Sequence, residues 1–159
     1  MINNIKVNKT DLRFGDINVI IGTNYFDIRS TLYLVADITN ADVWHQGSFK
    51  PIEAINNGTI GTSDCFIFHN LEDNRHPNDI RSCVELLSRI KSQIFLSTNS
   101  YFALKSLYLL TQKEQINIRI FVFDGEIIRQ YNLCDGIPEN SITNEYIELY
   151  KEEVRLSMA

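Results

Sequence analysis

Apolar residues in this chain fall into short runs separated by stretches with helical spacing. Ile17-Asn18-Val19-Ile20-Ile21, Cys65-Phe66-Ile67-Phe68, Gln93-Ile94-Phe95-Leu96 and Asn117 to Phe123 have the length and apolar content of buried strands. Ile28 to Ile38, the segment between Phe68 and Gln93, and Tyr101 to Lys113 repeat apolar residues as helices do. The order strand, loop, helix, strand from Cys65 to Ser100 is a βαβ unit, whose strands should be parallel and whose connection right-handed. Residues 5–13 alternate and end in Phe14-Gly15-Asp16, which predicts a strand and a turn. Asp124-Gly125 is a hairpin turn signal, after which Glu126 to Leu133 should pair back antiparallel. Ser141 to Leu156 is an amphipathic terminal helix, with its Tyr-rich face expected on the sheet and a partner's groove as the sharper alternative. Thr39 to Ser63 is loop-like. The pattern predicts an α/β protein in one compact domain over residues 1–159: a mainly parallel sheet flanked by helices, a C-terminal antiparallel hairpin and a terminal helix.

Composition narrows the function classes. With 159 residues, 44% of them apolar and 22% charged, the chain can bury a core and has no disordered signature. A net charge of −5 without long runs of one sign argues against nucleic acid as the main partner. The start, Met1-Ile2-Asn3-Asn4-Ile5-Lys6, lacks a signal-peptide segment and no apolar run reaches membrane-spanning length, so a cytoplasmic protein without a membrane partner is expected. Cys65, Cys83 and Cys134 form no CxxC pair and read as buried free thiols.

Polar residues gather just after two predicted strands, at His69-Asn70 and Thr98-Asn99-Ser100. In a parallel sheet these carboxyl ends are where ligands bind. Gly22-Thr23-Asn24 delivers a strand into a helix, the place for a phosphate-binding loop, because a helix N-terminus offers free N–H groups and a positive dipole end. Other constellations are less specific. His45, His69 and His76 with Asp73, Asp79 and Cys65 lack the short spacing of a metal site, and no metal is expected. Asp64, Glu72, Asp73 and Asp124 are a carboxylate set in which Asp124 is accounted for by its turn. No GxSxG elbow is present, and Trp44 and the tyrosines lack the interleaved Lys/Arg of a base-stacking surface.

Two stretches carry a family resemblance. Phe14-Gly15-Asp16-Ile17-Asn18-Val19-Ile20-Ile21-Gly22-Thr23-Asn24 resembles the opening of ABC/SMC-type ATPase heads, in particular bacterial AAA-like ATPases related to the overcoming-lysogenization-defect family, in which a strand leads into a GxNGxGKST phosphate loop. The central stretch is similar to their second half: an apolar strand ending in Asp-Glu, an E-x-x-L-H-P-like loop, a helix, and a strand ending in T-T-H-S. Glu72, His76 and Pro77 match that loop, and Thr98 and Ser100 match the last motif. Residues 14–31 and 58–155 are covered. The resemblance implies a P-loop-NTPase-like fold.

The departures fall on the chemistry. Gly22 to Thr31 reads GTNYFDIRST, one residue longer than the family loop, with Tyr25, Phe26, Asp27 and Ile28 in place of its inner glycines and Arg29 where Lys belongs. Bulky side chains and a carboxylate would crowd and repel the anion that such a loop wraps. His69 replaces the metal-binding Asp, Asn70 the catalytic Glu, and Asn99 the switch His. An amide cannot act as a carboxylate base. The signature helix is missing, with Asn57-Gly58-Thr59 as a remnant of its turn. What the resemblance then implies is a pseudo-ATPase and no enzyme. Gly22, Asn24, Arg29, Ser30 and Thr31 are vestigial nucleotide-binding positions, and His69, Asn70, Glu72 and Asn99 vestigial strand-end positions. No cofactor is expected, ATP and Mg²⁺ included. The partner would be another protein, a true ATPase head or a second copy, which this chain would regulate or scaffold. A nucleotide-binding sensor without hydrolysis is the first alternative, and an enzyme with a new chemistry at His69 and Asn99 the second.

Overall fold

A computed structural model describes residues 2–7, 10–45, 65–73 and 75–158. Strands β1 (Asn4–Val7) and β2 (Thr10–Arg13) pair antiparallel as a separate two-stranded ribbon. β3 (Ile17–Gly22) leads into helix α1 (Tyr25–Thr39), followed by β4 (Val43–His45). After the undescribed segment come β5 (Cys65–His69), α2 (Pro77–Leu87), β6 (Gln93–Ser97) and α3 (Tyr101–Lys113). β7 (Ile118–Asp124), β8 (Ile127–Asn132), a 3₁₀ turn at Leu133–Asp135 and α4 (Ser141–Ser157) complete the chain. The main sheet has the order β4-β5-β6-β3-β7-β8. Its first five strands are parallel, and β8 pairs antiparallel with β7.

The strands are continuous apolar runs because helices cover both faces. Period-two alternation divides them between two cores. Val19, Ile21, Phe68, Leu96 and Ile120 face α2 and α3, whereas Ile20, Ile67, Phe95 and Phe121 face α1. Helix α1 seals its side with Ile28, Leu32, Val35 and Ala36, at the i, i+4, i+7, i+8 spacing of one face. The β1–β2 ribbon closes the same side through Leu12, and Phe14 meets Phe95 and Phe121 edge-on at 4.8 and 5.5 Å. Gln130 of β8 ties the ribbon down by accepting from the Arg13 N–H and donating to the Asp11 carbonyl.

Four expectations change. The alternating stretch 5–13 is two strands, since the chain reverses between Val7 and Thr10. Helix α1 begins at Tyr25, three residues before Ile28, the first residue of the apolar pattern. Within the loop-like segment, Val43–His45 adds an edge strand beside β5, while Asn57-Gly58-Thr59 and Asp64 lie outside the described residues. The Tyr-rich face of α4 is not laid on the sheet: no α4 residue is fully buried. Ile142 reaches the core and Tyr146 stacks on Tyr101 of α3 (4.2 Å, 15°), after which the helix runs outward with Leu149, Tyr150 and Leu156 exposed. No helix among the described residues is long and apolar enough to cross a membrane.

Candidate functional site

Parallel pairing brings the carboxyl ends of β5, β6 and β3 side by side, so Gly22–Asn24, His69–Asn70 and Thr98–Ser100 share one edge of the sheet. This is the edge where an α/β sheet binds ligands.

At the end of β3 the link to α1 is two residues, Thr23 and Asn24. The Asn24 carbonyl accepts from the Ile28 N–H (3.3 Å), which makes Asn24 the residue from which the helix starts. Tyr25, Phe26, Asp27 and Ile28 are therefore helix and not loop. A helix that starts so early leaves no stretch of backbone to wrap a phosphate. Asp27 in the first turn complements the positive helix end with its own charge. Gly22 has a packing reason: a Cβ there would stand 2.4 Å from the Phe123 carbonyl oxygen. Thr31, only 4% exposed, donates its hydroxyl to the Asp27 carbonyl one turn back (2.8 Å). The Arg29 guanidinium lies 5.4 Å from the Tyr33 ring centre, one turn along the exposed side of α1, and Ser30 is exposed.

The ends of β5 and β6 are organised differently. His69 closes β5, 4% exposed and in register with His45 of β4. Asn70 turns the chain in the left-handed region (φ 53°), which Asn tolerates far better than Glu would. Its N–H donates to Ser97 Oγ (2.9 Å), and the next N–H, of Leu71, donates to the Ser97 carbonyl (2.9 Å). Asn70 Nδ2 donates to Asp73 Oδ2 at 3.4 Å. Glu72 then clamps the two strand ends. One carboxylate oxygen accepts from Thr98 Oγ1 (2.6 Å) and the other from the Asn99 N–H (2.7 Å). Thr98 Oγ1 in turn accepts from the Ser100 N–H, and Ser100 caps α3 by accepting from the Ala103 N–H (3.3 Å). His76 caps α2 through Nδ1, which accepts from the Asn78 N–H (3.3 Å), and Pro77 occupies the first helical position.

The edge thus carries two adjacent groups of hydrogen bonds, one joining Glu72, Thr98, Asn99 and Ser100 and the other joining Asn70, Ser97 and Asp73. Asn99 keeps an exposed side chain above a committed N–H, whereas His69 is buried. Asp124 pairs with Arg129 across the hairpin (2.9 Å). Among the described residues, no three of His, Cys, Asp and Glu come together around a common metal position. Burial pushes the Cys83 thiol up to about 11 despite the opposing charge of Arg75, and only Cys134 of the three thiols is exposed.

Features that the pattern of residues did not single out lie elsewhere. Asn18, inside a strand run, is fully buried and satisfied by Gly15 and Ile94, and Gln93 bonds Ile2 and Gly15, which stitches the amino edge of the sheet. A polar residue interrupting an apolar run was the available signal. A cleft of about 270 Å³ lies beside Gly22, between the Asp124–Arg129 pair and the start of α4. A second, of about 200 Å³, runs between α2 and α3. No protein-family model matches the chain, and neither does any curated protein.

Proposed function

We propose that this chain is a non-catalytic, P-loop-NTPase-like relative of ABC/SMC-type ATPase heads that acts by binding another protein. The early start of α1 carries the reading: of the residues aligned with the phosphate loop, those from Tyr25 to Thr31 are helical, and two of them, Ile28 and Thr31, are buried in the protein. Side-by-side placement of the β3, β5 and β6 ends supports the family reading, because a nucleotide held by the loop and by both strand-end motifs needs those ends adjacent. The residues that match the family motif have structural work here: Glu72, Thr98 and Ser100 clamp and cap, and His76 and Pro77 start α2. Those that depart from it are the ones an ATPase needs for metal, base and phosphate. Protein binding is supported by α4, which carries Leu149, Tyr150 and Leu156 into solvent on one side of an amphipathic helix. An ATPase head to regulate, or a second copy, is the class of partner.

Calorimetric titration with ATP and with ADP, each with Mg²⁺, tests the proposal. Absence of binding heat is the expected outcome. ATP hydrolysis lost in Arg29→Ala would sink it, and nucleotide binding without hydrolysis, also lost in Arg29→Ala, would replace it with a sensor.

A further inference from the structure

The groove between α2 and α3 and the outer face of α4 are complementary in both polarity and charge. Val84, Leu109 and Leu110 form the apolar part of the groove, and Leu109 is exposed. Arg81, Arg89 and Lys113 ring it, against the carboxylates of Glu85 and Glu114, so cations outnumber anions. Glu85 is held by Arg81 at 3.5 Å. Helix α4 has the opposite balance, with Glu145, Glu148, Glu152 and Glu153 against Lys151 and Arg155. Lys151 is taken by Glu148 at 2.6 Å, which leaves Glu145, Glu152 and Glu153 against Arg155, a net negative field along α4.

Spacing agrees with charge. Glu145, Leu149, Glu152 and Leu156 recur at i, i+4, i+7 and i+11, so they share one stripe of α4. At 1.5 Å per residue, Glu145 and Glu152 stand about 11 Å apart along α4, and Arg81 and Arg89, one within α2 and one just past its end, both line the groove. Leu149 and Leu156, 65% and 73% exposed, then have the exposed Leu109 to meet while their flanking carboxylates meet arginines. A chain's own α4 does not fill its groove. It touches α3 at Tyr101, whereas the groove uses the other end of α3, from Ser106 to Glu114.

Resting on the protein-binding reading above, we infer that the partner is a second copy of this chain: α4 of each copy docks into the α2/α3 groove of the other. Reciprocal exchange is a two-fold, self-complementary interface, and it doubles the area buried by a single helix-in-groove contact toward the roughly 800 Å² per partner that stable complexes need. Opposed charges fix the register of the helix, and apolar contact supplies affinity.

Sedimentation equilibrium of the full chain, with two charge-reversed forms, tests this. One form carries Arg81→Glu and Arg89→Glu; the other carries Glu145→Arg and Glu152→Arg. All four residues are exposed, and circular dichroism verifies that each form folds. The wild-type chain is expected at twice the monomer mass, with association weakening as salt is raised. Each reversed form should associate roughly a hundredfold more weakly, because like charges then face each other at both contacts. An equimolar mixture of the two forms should recover the dimer, since an acidic groove meets a basic helix at one contact and the reverse holds at the other. A wild-type monomer throughout, a dimer indifferent to either reversal, or a mixture that stays monomeric overturns the inference. None of these results alters the nucleotide titration, so the wider reading stands or falls separately.

Discussion

Two strand-to-helix junctions lie next to each other on one sheet edge and are built by different means. The junction from β3 to α1 is held by apolar packing: Gly22 lies tight against Phe123 and Ile28 plugs the core, while Thr31 turns its hydroxyl back into its own helix. The junction from β6 to α3 is held by hydrogen bonds, from Thr98 and Asn99 to Glu72 and from Ala103 to Ser100. A phosphate loop must keep its backbone N–H groups free to bind an anion. At the first junction the backbone is helix from Tyr25 onward with the Asp27 carboxylate in its first turn, and at the second the Asn99 N–H is committed to Glu72. Glu72, Thr98 and Ser100 thus hold this edge together.

The largest effect should follow from breaking the hydrogen-bonded junction. Glu72→Ala removes a carboxylate that accepts two short bonds and is expected to lower stability by about 2–4 kcal/mol in urea denaturation, with Glu72→Gln losing less. A loss below about 0.5 kcal/mol would mean that the clamp does not support the fold. At the packed junction, Gly22→Ala drives a methyl group into the Phe123 carbonyl and should cost about 1–3 kcal/mol. A neutral result there would free Gly22 for another role, such as anion contact.

Thiol labelling sharpens the contrast. At pH 8 Cys134 should react at once with an alkylating agent, while Cys83, buried and with its thiol raised to about 11, should wait for α2 to open. Glu72→Ala should speed the labelling of Cys83, because Glu72 leads the chain toward α2; Arg29→Ala should leave it unchanged. The smallest effect belongs to Arg29→Ala, expected within about 1 kcal/mol, the worth of an exposed cation–π contact.

Much of this architecture is legible in the chain. The five parallel strands include four apolar runs that stand out because both faces are covered, and α3 and the β7–β8 turn follow from spacing and from Asp124-Gly125. The start of α1 is misplaced when Tyr25, Phe26 and Asp27 are aligned with loop glycines, although Asn24 and Asp27 are ordinary helix-start residues. The three-residue strand β4 is too short for periodicity to register. Glu72 is readable as part of a motif, but its clamp is not, since the partners lie 26 and 27 positions away. The outer face of α4 shows the limit of an amphipathic pattern: apolar spacing says that a face will be covered and does not say by which molecule.

Calorimetric titration with Mg²⁺–ATP tests most directly the proposal that this edge serves structure and binds no nucleotide. No binding heat at high nucleotide concentration is the expected result, alike for the wild-type protein and for Arg29→Ala. Saturable heat in the wild-type protein that disappears in Arg29→Ala would contradict it, because the start of α1 would then still hold a phosphate.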